Sequence, residues 1–110
     1  VIRAIFNKLV RDKIPERIMR AGQRPITAVL SPLRVKLALR EKLVEEAIEV
    51  RNANGNRHQL EELADVYEVL NELALRCGAG MAGVRKVATA KRRAKGGFKK
   101  GIFLIGTETP

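Results

Sequence analysis

Two short stretches of this chain concentrate carboxylates at spacings that suit chemistry. "KLVEEAIEV" (residues 42–50) carries Glu45, Glu46 and Glu49, and "QLEELADVYEVL" (residues 59–70) carries Glu62 and Asp65. Residues three apart on a helix point the same way, so Glu46 pairs with Glu49 and Glu62 with Asp65. If the two stretches lie on facing helices near a shared turn, four carboxylates converge. Left bare, such a group repels itself; a bound hard cation removes the repulsion. Mg²⁺ prefers oxygen ligands, retains some waters and commonly shares carboxylates with substrate phosphates. Glu45 lies on a neighbouring face, where it reaches a second ion or orients a water. The plainer reading is a solvated acidic surface for Glu41, Glu45, Glu61, Glu68 and Glu72, because one E-x-x-E or E-x-x-D alone carries little weight. What lifts the metal reading above that level is the pairing of two clusters across one short turn.

The elements that must position these acids are legible from pattern. "SPLRVKLALREKLVEEAIEVRNA" reads as a first long helix, with Ser31 as its cap and Pro32 in its first turn. Its apolar positions 33, 37, 44, 48 and 43, 47, 50 form a helical stripe. "NANGN" (residues 52–56) reads as a turn, since Asn and Gly tolerate positive φ. A second long helix follows from about residue 58 to 77, with apolar positions 60, 63, 67, 70, 74 and 77 spaced by three and four and Gly78 as its stop. Long helices joined by so short a turn pack antiparallel.

Elsewhere "IPERIMRAG" reads as a short helix, Pro15 suiting its first turn and Gly22 its end. "PITAVL" (residues 25–30) reads as a strand or extended arm. A basic helix is expected over about 82–95, stopped by Gly96 and Gly97. "GIFLIG" (residues 101–106) reads as a short strand able to pair with the extended first eleven residues. The expected fold is mainly α: a helical bundle whose antiparallel long helices carry the acidic motif, with at most a small β element from the chain ends. No repeat or linker divides it, so residues 1–110 read as one domain.

Charge sharpens this organisation. Residues 1–40 carry ten Lys/Arg and two Asp/Glu, residues 41–75 carry three and nine, and residues 76–110 carry nine and one, giving +8, −6 and +8 within a net charge of +10. An acidic middle between two basic flanks suggests a cation site beside an anion site. With 45% hydrophobic and 31% charged residues the composition is that of a folded chain and not a disordered tail. No apolar run approaches the ~20 residues needed to cross a bilayer, and the opening residues lack the pattern of a secretory signal. One cysteine, Cys77, excludes an internal disulfide; its place in an apolar row reads as a small core residue. These features make a cytoplasmic protein without a membrane partner the expectation.

Several signals are set aside. "GAGMAG" (residues 78–83) matches G-x-G-x-x-G, but it follows a helix and no acid lies ~20 residues on, as a dinucleotide site requires. "KGGFKKG" lacks the G-K-[ST] of a phosphate loop. His58 reads as a polar surface or cap residue, and Tyr67 as core in preference to base stacking. Phe6 and Phe98 either contact a base or close the core.

Two further stretches bracket the acidic helices: "FNKLVRDKIPERI" (residues 6–18) and "AKRRAKGGFKKGIFL" (residues 90–104). Together with E-E-x-x-E followed by E-x-x-D, they make nearly the whole chain resemble the MazG-like all-α nucleotide pyrophosphohydrolases, and more narrowly the small phosphoribosyl-ATP pyrophosphohydrolase-like, house-cleaning branch. The N-K-L-V-R-D-K-I-P start is the more specific of these motifs. The resemblance implies Mg²⁺-dependent hydrolysis of a nucleoside triphosphate, or a related nucleotide such as phosphoribosyl-ATP, to the monophosphate and pyrophosphate, with Mn²⁺ as a substitute ion. The family's metal ligands fall on Glu46, Glu49, Glu62 and Asp65, with Glu45 as a further acid. It also implies a homo-oligomer, dimer or tetramer, with the site near a subunit contact. The chain departs from the branch at "CGAGMAGVRKV", which is richer in Gly and poorer in acids and bears on the substrate-side wall.

The chemistry is coherent on its own terms. Metal ions neutralise phosphate oxygens, orient an in-line water and lower its pKa; a carboxylate not fully engaged by metal, Glu45 or Glu49, then accepts the proton. Lys8, Arg11 and Lys13 from the start and Lys91, Arg92, Lys95 and Lys99 from the end are candidates for the polyphosphate, Arg through forked contacts and Lys as a point charge. The rival is a basic helical module that binds nucleic acid without catalysis. The net charge and "KRRAKGGFKK" favour it, whereas the nine acids of the middle and the scarcity of aromatics for stacking disfavour it.

Overall fold

A computed structural model describes residues 4–110, and among them the secondary structure is α-helical throughout. Four helices follow in order: α1 Ile14–Arg20, α2 Pro32–Asn52, α3 Gly55–Arg76 and α4 Gly80–Lys95. Helix α2 starts as its sequence directs. The Ser31 hydroxyl accepts a hydrogen bond from the Arg34 N–H at 3.3 Å, and Pro32 occupies the first turn, where its missing N–H has no partner to lose. Helix α3 starts earlier than expected, at Gly55, because the turn needs only Ala53 and Asn54 to reverse the chain. Its first turn is tied by His58, whose Nδ1 accepts the Asn54 N–H at 3.2 Å; that is the capping role read for this residue.

Helices α2 and α3 pack as the antiparallel pair, and α4 packs on α3. The α3–α4 reversal is made by glycines: Gly78 (φ +85°) and Gly80 (φ +65°) adopt left-handed backbone that other residues disfavour. The third glycine of "GAGMAG", Gly83, lies within α4 where a Cβ would meet that of Ala79 at 2.5 Å. The glycine pattern is thus a helix-reversal device, in keeping with its rejection as a dinucleotide site.

The core is small. Leu39 of α2 and Val69 and Ala74 of α3 are its buried apolar residues, and Glu46 of α2 is buried with them. Within α2, residues 35, 39, 43, 46 and 50 turn inward. The expected stripe at 33, 37, 44 and 48 turns outward instead, with Leu33 at 70% and Val44 at 58% exposure. At 100° per residue the two rows lie on nearly opposite sides of the helix, so α2 is apolar on two faces and α3 covers one. The α3 row divides along its length: Leu70 is half-buried and Ala74 buried, while Leu60, Leu63 and Tyr67 remain exposed. Tyr67 is therefore not core. Nor is Cys77, which is the exposed C-cap residue of α3; it falls where the helix ends, one turn beyond the last buried row.

The chain ends differ from expectation. Residues 25–30 and 101–106 form no strand. A strand needs a neighbour to accept its N–H and C=O groups, and the N-terminal segment offers none: Asn7 adopts φ +46°, which interrupts an extended run. The first three positions of that segment lie outside the described residues. The C-terminal segment is exposed throughout, including Phe98, Ile102, Phe103, Leu104 and Ile105. No helix among the described residues is long and apolar enough to cross a membrane.

Candidate functional site

The turn between α2 and α3 brings the two acidic clusters together. Glu46 from α2 and Glu62 and Asp65 from α3 each present a carboxylate oxygen, and these oxygens lie within 4.8 Å of one another. Helix geometry explains the convergence. Glu46 belongs to the inward row of α2, and Glu62 and Asp65, one turn apart, belong to the row of α3 that faces it. The acids take positions that apolar residues occupy further along the same interface, such as Leu39 and Val69. Glu46 is 9% exposed, an unusual placing for a carboxylate outside a paired or liganded site.

The cations around the group come from three elements. Lys42 of α2 lies 3.1 Å from Glu45 and 3.4 Å from Glu46. Arg11, from the segment before α1, lies 2.7 Å from Asp65, and Lys8 from the same segment lies 3.9 Å from Glu45. His58 Nε2 stands 3.2 Å from Glu62, while its Nδ1 accepts from the Asn54 N–H. Each acid of the group thus has one nearby basic partner, and all partners except Lys42 are half exposed. The donors are all carboxylate oxygens, the ligand type that suits a hard divalent cation.

Of the residues expected to ligate metal, Glu46, Glu62 and Asp65 meet. Glu49 does not join them: it is exposed on α2, one turn on from Glu46. Glu45 sits at the margin of the group, sharing Lys42 with Glu46. Among the expected phosphate-binding residues, Lys8 and Arg11 stand beside the acids, whereas Lys13 is the exposed residue preceding α1. Lys91, Arg92 and Lys95 lie on the exposed last turns of α4, and Lys99 lies in the exposed C-terminal segment. The residues the sequence reading missed are Lys42 and the Glu62 contact of His58. Both were signalled by spacing: Lys42 precedes Glu45 and Glu46 by three and four, and His58 precedes Glu62 by four.

Compared with protein-family models, with curated proteins and with solved structures, the chain matches none.

Proposed function

We propose that this protein is a Mg²⁺-dependent nucleotide pyrophosphohydrolase, cleaving a nucleoside triphosphate or a related nucleotide to the monophosphate and pyrophosphate. The observation that carries the reading is the meeting of Glu46, Glu62 and Asp65, with oxygens within 4.8 Å across two helices, at a place where Lys8 and Arg11 also arrive. Carboxylates so placed beside half-exposed cations suit a metal–polyphosphate complex: acids for the ion, guanidinium and ammonium for the phosphate oxygens.

In this reading Glu46, Glu62 and Asp65 hold Mg²⁺, which supplies charge neutralisation at the phosphates and a more acidic water. The remaining work falls to the chain. Lys42 fixes Glu45 and Glu46 side by side. Glu45, at the margin, is the better placed of the two candidate proton acceptors, Glu49 being turned outward. Arg11 and Lys8 bind polyphosphate oxygens; His58 holds the Glu62 carboxylate in orientation while anchoring the α3 start. The partners of the reading are the nucleotide substrate and a further copy of the chain.

The exposed basic end of α4 and the Lys99–Lys100 pair favour the second reading, a nucleic-acid-binding module. One experiment separates the two. Pyrophosphate release is measured across canonical and modified nucleoside triphosphates and phosphoribosyl-ATP, with Mg²⁺ and with EDTA, on the wild type and on Glu62→Gln and Glu49→Gln. Metal-dependent release, lost in Glu62→Gln and reduced far less in Glu49→Gln, supports the hydrolase. Absence of release from every compound, with metal-independent, salt-sensitive binding to RNA or DNA, replaces it with the module.

A further inference from the structure

We infer that the hollow where α2, α3 and the start of α4 meet is a second ligand site, suited to an amphipathic anion: an aliphatic tail ending in one carboxylate or phosphate. The inference stands independently of the hydrolase reading, and none of its residues belongs to the acidic group. The hollow lies away from the α2–α3 turn. Arg40, its α2 residue closest to that turn in sequence, is six residues short of Glu46, about 9 Å along the helix axis. Its volume is about 380 Å³, within the roughly 300–1,000 Å³ of clefts that hold small molecules.

The lining selects the occupant. Leu70, Leu73 and Ala74 of α3 and Val84 of α4 make it aliphatic, and Lys36 and Arg40 of α2 are its charged residues. Among the described residues no carboxylate, amide, hydroxyl or aromatic side chain lines it. A nucleobase therefore finds no side chain to read its edge or stack on its face, and a cation meets only repulsion. A purely apolar ligand leaves both basic groups unused. Those groups are unanswered within the chain. Lys36, half-buried, and Arg40 stand at i, i+4, where like charges destabilise a helix. Among the described residues neither forms an ion pair, whereas Lys42 of the same helix and Arg76 of α3 each hold a carboxylate. Glu72, the one acid of α3 between Leu70 and Cys77, is taken by Arg76 at 3.0 Å. The complementary charge must come from outside. Arg offers a carboxylate or phosphate a forked contact and Lys a point charge, while the aliphatic lining draws hydrocarbon out of water.

Cys77 lines the same hollow, is exposed and is the chain's one cysteine, so its alkylation reports occupancy. The full chain is treated with iodoacetamide, alone and with octanoate, octyl phosphate, octanol, acetate or ATP. Octanoate or octyl phosphate is expected to slow the alkylation saturably, the tighter of the two naming the head group. Octanol, without the charged hydrogen bonds, should bind about tenfold more weakly, and acetate should not protect. In spectra of the methyl-labelled chain the same titration should shift Leu73 and Val84. Lys36→Met with Arg40→Met keeps the apolar stems; it should bring both anions down to the affinity of octanol, with octanol still protecting and circular dichroism unchanged. Octanol protecting as well as octanoate overturns the inference, as does anion protection that survives the double substitution. ATP protecting as well as octanoate makes the hollow part of a nucleotide site and overturns it too. A Cys77 that iodoacetamide fails to reach in the ligand-free chain shows the hollow covered by another copy, and this likewise overturns it, as does an absence of protection by every compound.

Discussion

Replacing Glu46 by Gln gives the sharpest account of what the acidic group is for. The substitution keeps shape and removes one charge. With oxygens no more than 4.8 Å apart, each carboxylate pair repels by about 3.5 kcal/mol at an effective dielectric of ~20. Glu46 takes part in two such pairs. Against them stands its attraction to Lys42 at 3.4 Å, about 5 kcal/mol on the same scale. The balance favours the neutral side chain by about 2 kcal/mol, reduced to about 1 kcal/mol because Asp65 is 40% exposed and solvent screens it. Glu46→Gln is therefore expected to raise stability by about 1 kcal/mol without metal. If the group holds Mg²⁺ as proposed, the variant is also expected to lose the stabilisation the ion would give, about 2.7 kcal/mol at 100 times Kd. The assay is urea unfolding followed by circular dichroism, in EDTA and in Mg²⁺, at one protein concentration. A Gln variant less stable than wild type in EDTA would refute the reasoning, because Glu46 would then be a carboxylate whose net role is its pairing with Lys42. So would a wild type indifferent to Mg²⁺.

Leu39→Ala removes the most buried apolar side chain of the α2–α3 interface and is expected to lower stability by about 2–5 kcal/mol in the same unfolding assay. Ser31→Ala removes the one side-chain cap of α2; a loss of about 1 kcal/mol is expected, and Ser31→Asp should restore it. Arg11→Ala breaks an exposed pair and should change stability by less than ~1 kcal/mol. If Arg11 binds phosphate, it also raises KM for the nucleotide by roughly tenfold, a charged hydrogen bond being worth about 1.5–3 kcal/mol. Gly83→Ala places a Cβ 2.5 Å from that of Ala79 and is expected to disturb the α3–α4 reversal, read as earlier melting of the helical signal.

The helices were legible because their signals are local. Ser31-Pro32 opens α2 and Gly96 closes α4 by rules that involve a few neighbouring residues. The meeting of Glu46, Glu62 and Asp65 was legible too, since a two-residue turn and one-turn spacing leave few alternatives. Helical periodicity finds a row but does not say which row faces a neighbour. That is why the pattern places 33, 37, 44 and 48 with the core although Leu33 and Val44 are exposed. The two rows of α2 are similar in hydrophobicity, and α3 selects between them by a packing choice that a linear pattern does not encode. The same holds for Tyr67 and Cys77, each in register with buried residues but exposed. Residues 101–106 failed as a strand for another reason: β-propensity is realised only when an edge is available.

The helix pairs that touch are α2 with α3 and α3 with α4, neighbours in sequence joined by two or three residues. Such a chain closes short loops and searches little, placing it among domains that fold in microseconds to milliseconds. The acids flank the first of those reversals, so their repulsion is felt as soon as α2 and α3 come together, early in folding. A divalent cation that relieves it should therefore accelerate folding, and not merely slow unfolding. The folding limb of a chevron recorded with Mg²⁺ and with EDTA would show the ion acting as an assembly factor for the hairpin.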